Sequence, residues 1–323
     1  MSQPSSPPSP VLLSLAKAYL HDPAHLHRII IPQLTHRLRL ATLWSIAPST
    51  KVLDIGCGQG DSTLVLAHVV GPLPPDASDT ASAGAAPSDG PPGTSPGHVT
   101  ALDPAPGGYG SPYTLAESQA HILSSPYGAR VTFHQSDAPG YLAAHPSASF
   151  DSATLCHSLW YFPSAAAVSA LFTALHSSRR VGRLCFAEYS LKASTPSQKP
   201  HEMAVAVQRR FHELRGDKGL TLSQANVRGA LDPDEMVALA QEAGWKLKER
   251  GVVDTPGMLD GQWEVGAVVD PSWAEEVVGE GLAKEAEEEL LGSVAEIKAA
   301  VADLKENGES VATMDAVWVA MER

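Results

Sequence analysis

The chain is predicted to fold as an α/β protein around a doubly wound sheet, on three observations. Seven short apolar strand candidates alternate with helix signals over most of its length. The first of them runs into a glycine turn that opens a helix, "KVLDIGCGQGDST" from Lys51 to Thr63. Ahead of it, apolar residues recur at helical spacing, so helices precede the first strand.

In chain order, residues 1–10 are rich in Pro and Ser and read as a disordered tail. From 11 to 46 the apolar spacing of three and four, broken at Pro23 and Pro32, predicts two or three short amphipathic helices forming a lid. Strands are expected at Lys51–Ile55, His98–Leu102, Arg130–His134, Asp151–Cys156, Arg183–Glu188, Trp245–Val253 and Ala316–Met321. Ser111-Pro112 and Pro163-Ser164 read as helix starts. Asp232, Pro233 and Glu235 form a capping box before a helix that Gly244 stops. Residues 71–97, almost wholly Pro, Gly, Ala, Ser, Thr and Asp, read as a disordered surface insertion within one domain spanning 11–323. Residues 272–307, rich in Ala, Glu, Lys and Leu, read as one or two charged, solvated helices before the last strand.

Composition narrows the function classes. There are 23 Lys plus Arg against 36 Asp plus Glu, a net charge of −13, which disfavours a nucleic-acid partner. The basic clusters "HRLRL" and "SSRR" are short and read as solvated helix faces. The 3 cysteines have no metal or disulfide spacing, so reduced thiols and no metal are expected. The N-terminus lacks the pattern of a signal peptide, and no apolar run reaches the roughly 20 residues of a membrane span. A cytoplasmic protein acting on a small molecule is the expectation; the sequence leaves its oligomeric state open.

The glycine turn asks what approaches its backbone. A dinucleotide fingerprint wants a third glycine at position 61, where the chain has Asp61, an acid at a helix start that repels a pyrophosphate. A P-loop is excluded because no Gly-Lys-Ser/Thr follows. Asp54, two residues before Gly56, suits a cationic ligand instead, facing its ammonium directly or through water. The run Asp54, Gly56, Gly58, Gly60 resembles the first motif of the class I S-adenosylmethionine-dependent methyltransferases.

Further motifs follow in the family's order. "HVTALDPA" puts Asp103 where the family holds the ribose hydroxyls, and an ionised carboxylate accepts two such bonds well. "VTFHQSDAP" offers Asp137 near the adenine, and "FDSATLCHSLWYFP" resembles the motif after the fourth strand. "ATMDAVWVAMER" resembles the family's antiparallel last strand. The resemblance implies a seven-stranded, mostly parallel, Rossmann-like methyltransferase sheet. It also implies S-adenosylmethionine as cofactor, with contacts at Asp54, Gly56, Cys57, Gly58 and Gly60. Asp103, Pro104, Asp137, Ala138 and Cys156 complete that set.

Methyl transfer from a sulfonium needs alignment and exclusion of water, and a base only where the acceptor must lose a proton. His157, after the fourth strand, is the first candidate base, and His201 in "KPHEMAVAVQRRFHE" the second. Trp160, Tyr161 and Phe162 are candidate pocket walls. Tyr19, His21 and Arg28 are candidates to reach the cofactor from the N-terminal helices, and Asn226 and Arg228 to line the acceptor pocket. Two alternatives remain open: a cofactor-binding protein of the same fold without transfer activity, and a nicotinamide oxidoreductase, which Asp61 disfavours.

Overall fold

The computed structural model describes residues 7–71, 97–216 and 227–323. The sequence-predicted insertion at 71–97 and Asn226 lie almost wholly or wholly outside them, as does most of the predicted tail. The described strands form one seven-stranded sheet in the order β3-β2-β1-β4-β5-β7-β6. Packing gathers the chain into two compact units, Met1–Thr154 with Arg180–Arg183, and Leu155–Arg179 with Leu184–Arg323. No helix among the described residues is long and apolar enough to cross a membrane.

In the first unit, α1 (Pro10–Ala18) starts one residue before the predicted boundary, because Ser9 caps it and Pro10 suits its first position. A 3₁₀ turn at Pro23–His25 and a π turn at Leu26–Ile30 lead into α2 (Ile31–Leu43). Pro23 thus opens a new turn where the sequence indicated, whereas Pro32 sits in the first turn of α2 and the π turn runs into that helix without a break. Next come β1 (Lys51–Ile55), α3 (Asp61–Val69), β2 (His98–Asp103) and α4 (Leu115–Leu123). They are followed by β3 (Val131–Gln135), α5 (Ala138–Ala144) and β4 (Phe150–Cys156). β1 is the pivot of the sheet: it pairs in parallel with β2 on one side and β4 on the other, so Asp54 lies opposite both Ala101 and Thr154.

α4 starts three residues later than Pro112 suggested. Thr114 and Glu117 form a reciprocal capping box there, each accepting from the other's backbone N–H. "HRLRL" is also not a solvated face, since His36 and Arg37 are buried where α2 packs on α3. Arg180 of "SSRR" is likewise structural, donating to the carbonyls of Leu142 and His145.

The second unit holds α6 (Ala165–Ser177), most of β5 (Val181–Tyr189), α7 (Lys199–Arg215), α8 (Pro233–Glu242) and β6 (Lys246–Val253). It closes with α9 (Asp260–Val269), α10 (Pro271–Gly279), α11 (Lys284–Glu306) and β7 (Ala316–Glu322), which pairs antiparallel with β6. The α8 capping box and the left-handed Gly244 stand where the sequence placed them.

Residues 272–307 depart from expectation. α10 and α11 are not a solvated excursion. Trp273, Val277, Leu290, Val294 and Ile297 pack with Ala204, Val207 and Phe211 of α7 and with Val265 and Val268 of α9 into a separate apolar cluster. Arg215 pairs with Glu276 at 2.8 Å and Gln208 donates to Glu264 at 2.8 Å, binding α7 to α10 and α9.

Candidate functional site

In the first unit the turn after β1 uses glycine for its backbone. Gly56, Gly58 and Gly60 have φ of 70°, 52° and 92°, a region that side chains disfavour. The turn is stitched to the end of β2, since Gly56 and Cys57 both donate to the Leu102 carbonyl, at 2.8 and 3.0 Å. The glycines differ in what surrounds them. A Cβ on Gly60 meets Ile122 Cδ1 at 2.6 Å, whereas a Cβ on Gly58 meets nothing within 4 Å. Gly60→Ala should therefore cost about 2 kcal/mol in urea unfolding, and Gly58→Ala only the backbone share, about 1 kcal/mol. Gly58→Ala should nonetheless weaken cofactor binding the more, because its methyl stands over the open side of the turn.

Asp54 is 1% exposed and turned into the protein. Its carboxylate accepts from Ser62 Oγ at 2.9 Å, Thr63 Oγ1 at 2.7 Å and Thr154 Oγ1 at 3.0 Å. Burial pushes its carboxyl above the ordinary range, and the three hydroxyls oppose that shift. The expectation that Asp54 faces a ligand's ammonium is corrected accordingly. Three internal donors bind it, and it ties the first turn of α3 to β1 and β4.

Asp103 is differently placed, half-buried at the end of β2. Oδ2 accepts from Gly58 N and Oδ1 from Ala105 N, each at 2.9 Å. A carboxylate has about four acceptor positions, so two remain for the hydroxyls of a ribose. Cys57 is buried behind the turn, and burial, with Asp54 and Asp103 nearby, pushes its thiol well up, so it stays protonated. Pro104 is exposed beside Asp103. Asp137 is exposed and caps α5 through Gly140 N at 2.6 Å, with Ala138 buried behind it.

Charge at the α3 start also differs from the sequence argument. Asp61 pairs with Arg37 Nε at 2.9 Å, so its repulsion of an anion is partly cancelled. Tyr19 donates to Gln59 Oε1 at 3.2 Å, which brings the N-terminal segment to the glycine turn. Burial and Asp61 push that phenol up, against Arg37. His21 folds back on the Tyr19 carbonyl, and Arg28 is exposed. Arg37 and Gln59 were missed in the sequence. Nothing in the spacing of "HRLRL" indicates a partner across the fold.

In the second unit β4 ends at Cys156, which is buried, and His157 follows with φ 52°. A left-handed histidine costs about 1–2 kcal/mol, and such strain concentrates where a side chain must be aimed. His157 Nδ1 lies 3.3 Å from Glu188 Oε1, with side chains only 5% and 1% exposed. Glu188 also accepts from Tyr189 N at 3.1 Å on Oε1, and from Leu159 N at 3.1 Å and Trp160 N at 3.3 Å on Oε2. The Tyr189 ring packs 4.1 Å from the His157 ring. Glu188 was missed as a site residue; its signal is an acid ending the apolar run "LCFAEY".

The aromatic triplet separates. Trp160 is buried, donating to Leu231 O at 3.3 Å, Tyr161 is exposed and Phe162 half-buried. Arg228 is buried, its backbone N bonded to Trp160 O at 2.9 Å. His201 is wholly buried, edge-on to Trp160 and Tyr189. Its Nδ1 accepts from Met314 N at 3.0 Å, so the proton sits on Nε2, and burial lowers its pKa to about 4. His201 is thus corrected from candidate base to a buried, neutral ring that serves as a hydrogen-bond acceptor for Met314 N.

No family model matches the chain. Methyltransferase phomM' of Diaporthe leptostromiformis is 32% identical to it over 365 aligned positions, covering 97% of this chain and 89% of that protein. Methyltransferase phomM of the same fungus matches with the same identity and coverage. Among solved structures, a cyclopropane-fatty-acyl-phospholipid synthase-like protein from Lactobacillus casei is similar, with a TM-score of 0.76 and 26% identity over 97% of this chain and 98% of that one.

Proposed function

The chain belongs to the class I S-adenosylmethionine-dependent methyltransferases, and we propose that it methylates a small-molecule acceptor, with His157 as the base. The observation that carries the cofactor site is Asp103. Two of its acceptor positions are held by the N–H groups of Gly58 and Ala105, which leaves about two for a ribose diol. The open side of Gly58 gives the ligand its close approach to backbone.

When bound, S-adenosylmethionine would supply an electrophilic methyl for an acceptor's lone pair to displace from sulfur. The chain's own work is to hold and align. Asp54 fixes the turn through Ser62 and Thr63, while Asp103 would hold the ribose and Asp137 and Ala138 would lie beside the adenine. Cys156 ends β4, and His157, the base in this reading, follows it. The acidic balance of 23 to 36 supports a small molecule over nucleic acid.

Calorimetric titration tests the cofactor half. S-adenosylmethionine and S-adenosylhomocysteine should bind, NAD should not, and Asp103→Ala should weaken binding about tenfold or more, since a charged acceptor is lost. Absence of binding by the wild-type protein overturns the reading. Transfer of labelled methyl to a panel of amines, phenols, carboxylic acids, an unsaturated phospholipid, protein and RNA tests the acceptor half. Label appearing only in protein or RNA overturns the small-molecule assignment.

A further inference from the structure

The hydrogen bonds around the glycine turn close into a ring that passes through Gln59. Gly58 N donates to Asp103 Oδ2 and Ala105 N to Asp103 Oδ1, each at 2.9 Å. The chain runs on from Ala105 to Tyr113, whose carbonyl accepts from Gln59 Nε2 at 2.6 Å. Gln59 follows Gly58 in sequence, so the ring is complete. The segment 104–113 is braced by its own backbone. Tyr109 N donates to Pro106 O at 2.8 Å, Leu115 N to Tyr109 O at 2.7 Å and Ala116 N to Gly107 O at 2.9 Å. Gly110 takes φ 111°, and a Cβ there would meet Tyr113 O at 2.7 Å and Gln59 Nε2 at 3.4 Å. A glycine on one side and an amide donor on the other thus shape the same contact. A carbonyl only accepts, which fixes Nε2 toward Tyr113 and leaves Oε1 for the Tyr19 hydroxyl at 3.2 Å. Every member of the ring lies in the first unit.

We propose that Gln59 is a positioning residue for the ribose: it fixes the segment 104–113 so that Ala105 N–H holds Asp103 Oδ1, and with it the carboxylate plane that a ribose diol needs. This rests on reading Asp103 as the residue that holds the ribose of S-adenosylmethionine. A carboxylate bound at one oxygen turns easily about its Cβ–Cγ bond. Bound at both, by Gly58 N and Ala105 N, it is held in one plane. Two hydroxyls on adjacent carbons need both remaining acceptor positions in place at once, so freedom to turn costs affinity. Gln59 acts on the ligand only through Tyr113, the braced segment and Ala105.

Three variants break the ring at different points. Gln59→Leu keeps bulk and removes the donor. Gln59→Glu keeps an acceptor for Tyr19 but sets a second acceptor against Tyr113 O. Gly110→Ala pushes the segment away without changing Gln59. Hydrogen exchange of the full chain without cofactor reads the ring directly. The amides of Tyr109, Leu115 and Ala116 should be protected in the wild type and exchange about tenfold or more faster in each variant, with Val52 and Leu53 of β1 unchanged. Calorimetry with S-adenosylhomocysteine and its 2′-deoxy analogue reads the ribose. The wild type should prefer the parent compound about tenfold, the worth of one charged hydrogen bond. Each variant should bind the parent about tenfold more weakly and the analogue almost as before, so that the preference shrinks below about threefold. Tyr19→Phe leaves the Tyr113 bond in place and should move neither affinity by more than about threefold.

Unprotected Tyr109, Leu115 and Ala116 amides in the wild type overturn the proposal, whether or not any variant folds. An undiminished preference for the 2′-hydroxyl in Gln59→Leu and Gly110→Ala also overturns it, because a merely structural residue weakens both ligands alike. So does an equal loss in Tyr19→Phe, which would place the effect in the N-terminal segment. A wild type that fails to bind S-adenosylhomocysteine, or is indifferent to its 2′-hydroxyl, overturns the reading of Asp103 and the ribose role with it. The exchange result then still decides whether Gln59 fixes the segment.

Discussion

Asp54→Ala is expected to lower unfolding stability by about 3 kcal/mol and to abolish measurable cofactor binding. The carboxylate collects hydroxyl bonds from Ser62, Thr63 and Thr154, all buried. Each orphaned hydroxyl costs about 1–3 kcal/mol, and relief of a buried acid whose ionised form burial disfavours returns part of the sum. Loss of binding follows from loss of the turn. With its anchor gone, α3 no longer fixes Gly60, and Gly58 N no longer meets Asp103. Urea denaturation gives the stability and calorimetry the affinity.

Asp54→Asn separates the two roles an acid here can have. Hydroxyls both donate and accept, so the amide can be accommodated and stability should stay within about 1 kcal/mol of wild type. If Asp54 works by holding the turn, cofactor affinity stays within threefold. A tenfold loss of affinity in a fully stable Asn variant would instead assign it a charge effect on the bound cation.

The sheet and its glycine turn were legible because both follow from local rules. A strand that must stop and reverse under a ligand needs residues free to take positive φ, and "GCGQG" provides them at three positions. The chemistry around the turn was less legible because it depends on partners far apart in sequence. Arg37 meets Asp61 across 24 positions and Thr154 meets Asp54 across 100. No pattern in "HRLRL" or "SATL" carries that information.

The helical layer is a different case, since its signal was present and outweighed by composition. Leu290, Val294, Ile297, Val301 and Leu304 follow helical spacing along one side of α11, and four of them are buried. Glutamates and lysines between them made the stretch read as solvated. Glu188 is hidden for a similar reason: it stands near the end of a strand, β5. A lone acid in an otherwise apolar strand needs a buried partner, and that need is itself a site signal.

His201 yields the last prediction, a pH dependence with a definite sign. Its pKa falls from 6.5 to about 4 in the folded chain, because burial disfavours the imidazolium. Between those values the unfolded chain binds a proton that the folded chain refuses. Stability is therefore full above pH 6.5, declines as pH falls, and has lost this contribution by about pH 4. The loss amounts to about 3 kcal/mol, taking 1.36 kcal/mol per pH unit over the interval. Burial also lowers His68, His98 and His134, so the wild-type curve includes their contributions. The difference from His201→Gln isolates this ring, because glutamine keeps an acceptor for Met314 N–H but does not titrate. Urea unfolding every half unit from pH 4 to 8 should show the variant less sensitive to acid by close to one proton. Parallel curves would mean that water reaches His201 Nε2 and that the ring charges in place, reopening it as a base.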